Sequence, residues 1–205
     1  MSPPIYADSV FINCPFDTKY QTLFHAIVFA VFDCGYVARC STEIDDASQV
    51  RVEKISQIID ESKFGIHDIS RTELDSSTGL PRFNMPLELG MFLGAKRFGD
   101  GRQKLKTCLI LDREQYRYHK FISDIAGQDI RAHSDSPTEA IKIVRNWLSD
   151  SSKRTTIPGG KEICKRYDRF RRDLPDLCDD IKIEEDEMTF NDYALLVSEW
   201  LKVNG

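Results

Sequence analysis

The sequence has no Cys-x-x-Cys pair and no Cys/His cluster at zinc-ligand spacing. Its 6 cysteines (Cys14, Cys34, Cys40, Cys108, Cys164 and Cys178) are scattered along the chain. That excludes a zinc ribbon or a disulfide scaffold and leaves them as free thiols acting as small core hydrophobes. Gly-x-Gly-x-x-Gly, a P-loop and a nucleophile-elbow serine are all missing, which argues against a Rossmann-type dinucleotide fold, a phosphate-loop enzyme and an α/β-hydrolase. The most apolar stretch, Leu23 to Val31, contains His25 and is too short to cross a bilayer, so no membrane partner is expected. No basic segment followed by an apolar one opens the chain, so a cytoplasmic location is expected. There is no surplus of positive charge: 28 Lys+Arg against 33 Asp+Glu give a net charge of -5, which argues against a nucleic-acid coat protein. Internal repeats and low-complexity segments are absent.

What is present is an ordinary globular composition over 205 residues, 41% hydrophobic and 30% charged. That length suits one domain of roughly 150 residues with an extension. Ser9 to Asn13 reads as a buried strand, followed by the turn Cys14-Pro15-Phe16-Asp17, whose Asp is placed to cap the next helix. That helix spans about Thr18 to Asp33, presents Leu23, Phe24, Ile27, Val28, Val31 and Phe32, and stops at Gly35. Tyr36 to Cys40 is a second strand. A helix from about Gln49 to Glu61 follows, with Val52, Ile55 and Ile59 inward, and then a third strand, Phe64 to Ile69. A polar loop through Asp75, Ser76, Ser77 and Gly79 precedes a helix opened by Asn84-Met85-Pro86 and running to about Arg97. Thr107 to Leu111 is a fourth strand, Asp129 to Ala132 a fifth, and Ser136-Pro137-Thr138-Glu139 a capping box for a helix that turns Ile141, Val144 and Leu148 inward.

This alternation predicts an α/β domain over residues 1–150: a doubly wound parallel five-stranded sheet with helices on both faces. Residues 151–205 read as a helical extension. It holds a basic helix over Lys161 to Arg172, an acidic stretch from Asp179 to Glu187, and a last helix with Tyr193, Leu196, Val197, Trp200 and Leu201 on one face. That face is expected to dock on the α/β body or on a second copy of the chain. The basic helix is expected to pair with the acidic stretch rather than to bind nucleic acid, because Tyr167 and Phe170 fall on its apolar side.

Parallel sheets of this kind bind ligands at the carboxyl ends of their strands. Three segments converge there: Asn13-Cys14-Pro15-Phe16-Asp17, His67-Asp68-Ile69-Ser70-Arg71, and Arg82-Phe83-Asn84-Met85-Pro86-Leu87-Glu88-Leu89-Gly90. The last places a carboxylate in the first turn of a helix, with Gly90 and Gly94 expected to let that helix approach the sheet closely.

Over roughly residues 9–145 the chain resembles the nucleoside 2-deoxyribosyltransferase-like superfamily, which shares its flavodoxin-like architecture with TIR domains. The strand leading to Pro15-Phe16 is similar to that family's strand before a G-P-F type turn, Glu88-Leu89-Gly90 to its E-L-G, and the strand end at Asp68 falls between them in the same order. The resemblance implies that Glu88 is the catalytic carboxylate at the anomeric carbon of a nucleoside and that Asp68 contacts sugar or base. TIR enzymes likewise use a glutamate to cleave the nicotinamide–ribose bond of NAD, and bacterial members of the superfamily often serve in antiviral defence. The chain departs from the transferases where they usually carry an Asp shortly before the Glu. Here Arg82 stands there, with Asn84 and Pro86 after it. A guanidinium there suits phosphate.

The chemistry asks for such residues. Breaking an N-glycosidic bond builds positive charge on the ribose, and a carboxylate beneath the anomeric carbon stabilises it or bonds to it. A neutral base also needs an acid, for which the sequence offers only Asp68 and His67; nicotinamide, already cationic, needs none. The function expected is therefore a nucleotide N-glycosidase with an NAD-like dinucleotide favoured. The alternative is a non-catalytic nucleotide sensor of the same fold. Catalysis is assigned to Glu88 and Asp68, and substrate binding to Asn13, Pro15, Phe16, Asp17, Ser70, Arg71, Arg82 and Asn84. No metal site and no cofactor beyond the nucleotide itself is expected. Plainer readings stay open: Glu88 as a helix-dipole or capping-box residue, Asp68, Ser70 and Asn13 as turn formers, Arg71 and Arg82 as surface ion pairs, His25 as a core histidine, and His119 and His133 as parts of a lid.

Overall fold

The computed structural model describes residues 5–74 and 79–205, so Asp75, Ser76 and Ser77 of the expected polar loop lie outside the described residues. Five strands form one parallel sheet: β1 (Ser9–Asn13), β2 (Val37–Arg39), β3 (Phe64–Asp68), β4 (Thr107–Asp112) and β5 (Ile130–Ala132), in the order β2-β1-β3-β4-β5. All pairings are parallel, with Asn13 beside His67 and Asp68 beside Leu111. The architecture is α/β and flavodoxin-like, with the strand order reversing between β1 and β3, where such sheets open a crevice at their carboxyl edge.

The helices are α1 (Gln21–Asp33), α2 (Arg51–Asp60), α3 (Asn84–Phe98), α4 (Pro137–Ser152), α5 (Gly160–Ile181) and α6 (Phe190–Asn204). Side chains alternate across each strand, as the pleat requires. Val10, Ile12, Phe64, Ile66, Leu109 and Leu111 join the core under α1 and α4, and Phe11 faces α2 and α3. No α-helix connects β4 to β5. Two short 3-10 turns, Arg117–Lys120 and Ser123–Ile125, do so instead, and their Tyr118 and Ile125 cover Ile110 and Ile130.

Several expectations need correction. Asp17 caps a turn through its bond from the Tyr20 N–H (3.1 Å), and α1 begins only at Gln21. The inward residues of α2 are Ile55, Ile58 and Ile59, while Val52 is exposed. The basic helix does not stop near Arg172: α5 continues through Pro175 into the acidic stretch. Gly90 and Gly94 face open space, so neither brings α3 close to the sheet. The close approach is made from the strand side at Gly65. A Cβ there would stand 2.7 Å from His67 Nε2 and 2.8 Å from the Phe92 ring. Gly35 fills its expected role, with φ of 79° just past the end of α1, where the left-handed region favours glycine.

The extension docks on the body. Phe29 of α1 sits with its ring centroid 5.4 Å from both Tyr167 and Phe170 of α5 and 6.1 Å from Trp200 of α6. His25 stacks on Tyr193 at 3.9 Å, and burial lowers its pKa to about 4, so it is neutral. Trp200 Nε1 donates to Asp173 (2.9 Å), and Arg166 pairs with Asp33 (3.2 Å). α5 and α6 thus share one core with α1 and α4.

Two stability tests follow. Gly65→Ala forces Phe92 or His67 to move and should cost about 1–3 kcal/mol by urea denaturation; an unchanged midpoint would mean that α3 lifts from the sheet freely. Trp200→Ala, which removes a ring from the shared core, should cost about 3–5 kcal/mol with no change in oligomeric state by gel filtration.

Candidate active site

At the carboxyl edge of β3 two carboxylates meet opposite environments. Asp68 is fully buried. Its Oδ2 accepts from the Tyr20 hydroxyl (2.5 Å), its Oδ1 accepts from the Ser70 N–H (2.8 Å), and His133 Nε2 lies 2.9 Å from Oδ2, off the line of a good hydrogen bond. His133 Nδ1 accepts from the Asp135 N–H (3.0 Å), so the ring proton belongs on Nε2, facing the carboxylate. Burial alone would raise the Asp68 pKa, but the His133, Ser70 and Tyr20 contacts outweigh it and hold the group below the ordinary value. Asp68 is therefore an ionised anchor whose bonds run to the protein.

Glu88 is different. α3 buries Met85, Glu88, Leu89 and Phe92, one face at helical spacing, and so puts a carboxylate on an otherwise apolar stripe. It stands in the second turn, not the first, which removes the capping-box reading. It is 6% exposed and has no hydrogen-bond partner among the described residues. Burial raises its pKa to about 7, with the Arg51 charge opposing. Glu88 lines a cavity of about 690 Å³ that also takes in Phe16, Arg51, Arg71, Arg82 and Asn84.

Of the residues expected to form the site, Pro15, Phe16, Asp17, Arg71, Arg82, Asn84 and Glu88 all line this cavity. Asn13, Asp68 and Ser70 do not. Asn13 is buried; its Nδ2 donates to the Met85 carbonyl (2.8 Å) and to His67 Nδ1 (3.1 Å), tying β1 and β3 to the start of α3. Ser70 is also buried, and its carbonyl accepts from Arg117 (2.8 Å). Arg117 further donates to the Ile69 carbonyl, Thr72 Oγ1 and Asp112 Oδ1, and so fixes the loop that presents Arg71. Arg71 pairs with Asp17 at 3.0 Å.

His133 is fully buried under Asp68 and belongs to no lid, whereas His119 stacks on Tyr118. His67 is also fully buried, and desolvation, with Lys106 nearby, drops its pKa to about 3. Cys14 lines the cavity, but burial, reinforced by Asp68, pushes its thiol well above the usual range, so it is no nucleophile. The residues missed by sequence reasoning are Tyr20, His133 and Arg117 around the anchor and Arg51 in the cavity. Arg51 opens the helix after β2, a position at the carboxyl edge that the strand-end rule could have supplied. Tyr20 and His133 carry no local signal; the pairs they make with Asp68 join distant parts of the chain.

Neither a scan of protein-family models nor a search of curated proteins gives a match for this chain.

The raised pKa of Glu88 is a stability statement. Its folded pKa lies above its ordinary 4.5, so its anionic form destabilises the fold. The penalty is absent below about pH 4.5, grows through pH 7 and is complete above it. Glu88→Gln removes it, and should stabilise the protein by about 3 kcal/mol at pH 8 and by nothing near pH 4. Thermal melts across that range check the sign. A Gln variant less stable at pH 8 would mean that Glu88 is held by a cation.

Proposed function

We propose that this chain is a nucleotide N-glycosidase that cleaves a base–ribose bond through Glu88, with an NAD-like dinucleotide as the favoured substrate. One observation carries the reading: Glu88 is a nearly buried carboxylate with no bonding partner among the described residues, on the wall of a cavity that also holds Arg51, Arg71 and Arg82. An unpaired buried carboxylate is costly, and perturbed groups of this kind cluster at functional sites. The guanidinium groups suit phosphate oxygens, and the N-cap residue of α3, Phe83, has no side-chain capping bond, while Asn84 and Met85 at that helix start also line the cavity.

In this reading the phosphates lie against the arginines and the ribose over Glu88. As the C1′–N bond breaks, its electron pair leaves with the base, and the positive charge growing on the ribose meets the Glu88 carboxylate. Water then supplies hydroxide to C1′ and releases a proton. Of the two acids the sequence suggested, His67 is sealed and neutral and Asp68 is buried among protein partners, while Asp17 and Glu73 on the cavity wall are engaged by Arg71 and Arg113. That favours a base such as nicotinamide, which is cationic before it leaves and departs neutral. Asp68, with Tyr20 and His133, acts as a positioning group.

The test is base release from NAD, followed by chromatography. Glu88→Gln should lower the rate by about 10²–10³-fold while retaining nucleotide binding. Because the anion is the working form, the rate should rise with pH through about 7. A rate that falls through that range would assign Glu88 as an acid instead. Binding by the wild type with no release over hours would make the cleft a sensor.

A further inference from the structure

A second cavity of about 750 Å³ adjoins the first, and part of its wall comes from the C-terminal extension. The two meet along the Pro15–Thr18 turn, at Thr42 and at Arg51, which line both. The far wall of the second cavity is the segment between α5 and α6 together with the start of α6: Asp186, Met188, Thr189, Phe190 and Asn191. This wall is fixed in place. Asn191 Nδ2 donates to the Glu43 carbonyl (3.1 Å) across the gap to the end of β2, and Thr189 and Asp192 close a capping box at the head of α6. Phe190 packs on Phe24 at 6.0 Å, and Phe24 meets Phe16 edge-on at 5.4 Å. Phe16 itself is 44% exposed between the two cavities, an aromatic ring left in water in a turn that is otherwise anchored.

We propose that the extension builds a second nucleoside subsite, so that the site spans a dinucleotide: one nucleoside over Glu88, the diphosphate at Arg51, and the other nucleoside against Phe16, Met188 and Asn191. This rests on the glycosidase reading for what happens at Glu88, but the binding claim stands by itself. The chemistry of the second cavity fits a base and a ribose. Phe16 and Met188 offer flat or soft apolar surface to a base, while the hydroxyls of Ser41 and Thr42 and the amides of Gln21 and Asn191 offer partners for ribose hydroxyls and ring nitrogens. Arg51 donates to Ser41 Oγ (3.0 Å) from the junction, where a linking diphosphate would need a cation. Each cavity has a volume suited to one nucleoside-sized group. A mononucleotide would use the first cavity alone, so the extension would set the preference for the longer ligand.

Calorimetric titration of the full chain with NAD and with nicotinamide mononucleotide tests this, with base release from each measured in parallel. Met188→Glu and, separately, Asn191→Ala should weaken NAD binding by about tenfold or more and mononucleotide binding by no more than about twofold. Both residues are only partly buried or exposed, and melting curves verify that the variants fold. Equal losses for the two ligands, no loss for either, or a wild type that binds neither would overturn the subsite. Selective loss of NAD binding without base release would uphold the subsite and overturn the glycosidase. Base release from NAD that neither variant alters would do the reverse.

Discussion

The carboxylate of Asp68 is the constraint on which the edge of this sheet depends. Removing an ion from water costs several kcal/mol, and the cost is offset only where donors surround it. Here its partners come from different parts of the chain: the Tyr20 hydroxyl after β1 and the Ser70 N–H after β3 donate to it, and the His133 ring after β5 stands 2.9 Å away. Each loop must therefore reach one point in a fixed conformation, or leave a charge buried and unmet. Arg117 repeats the device one strand over, pairing with Asp112 and clamping the carbonyls of Ile69 and Ser70. Between them these two ions hold the backbone of the loop after β3, which carries Arg71 to the cavity wall.

Against that frame Glu88 is the exception. It sits near the same edge, nearly as deep, and among the described residues it lacks the donors that Asp68 has gathered. The two acids are driven in opposite directions, one below its ordinary pKa by its partners and the other up to about 7 by desolvation. Environment alone, not residue type, sets these two carboxyl groups apart. The fold stabilises one and tolerates the other.

The strands, their order along the chain and the convergence of three strand ends were legible because each rests on local pattern: β-rich apolar runs, glycine at a helix end, Ser-Pro at a helix start. Glu88 was legible as a residue and misplaced by a turn, since the exact opening of α3 depends on packing. Asp68 was found as a strand-end carboxylate, without its buried partners. A strand-end aspartate looks the same whether it faces a ligand or side chains from distant loops, and Tyr20 and His133 carry no mark of their destination. The glycines show the same limit. Gly90 and Gly94 sit in the helix and looked like the contact, yet Gly65 on the strand makes it, because the Phe92 ring needs room that only the folded arrangement reveals. Pro175 within α5 is a further case: proline normally breaks a helix, and the amphipathic face from Ile163 to Cys178 carries the helix past it.

The burial of α1 on all sides has a consequence for synthesis. Its residues Ala26 to Val31 are buried, one flank against the sheet and α4, the other against α5 and α6. A ribosome makes α1 early and α6 last among these elements, so the outer flank of α1 stays bare while most of the chain emerges. The β-α-β units can pair in the meantime, yet Phe29 meets Trp200 only at the end. A nascent chain paused between α4 and α5 would present that flank as a ready target for chaperones and for other copies of itself.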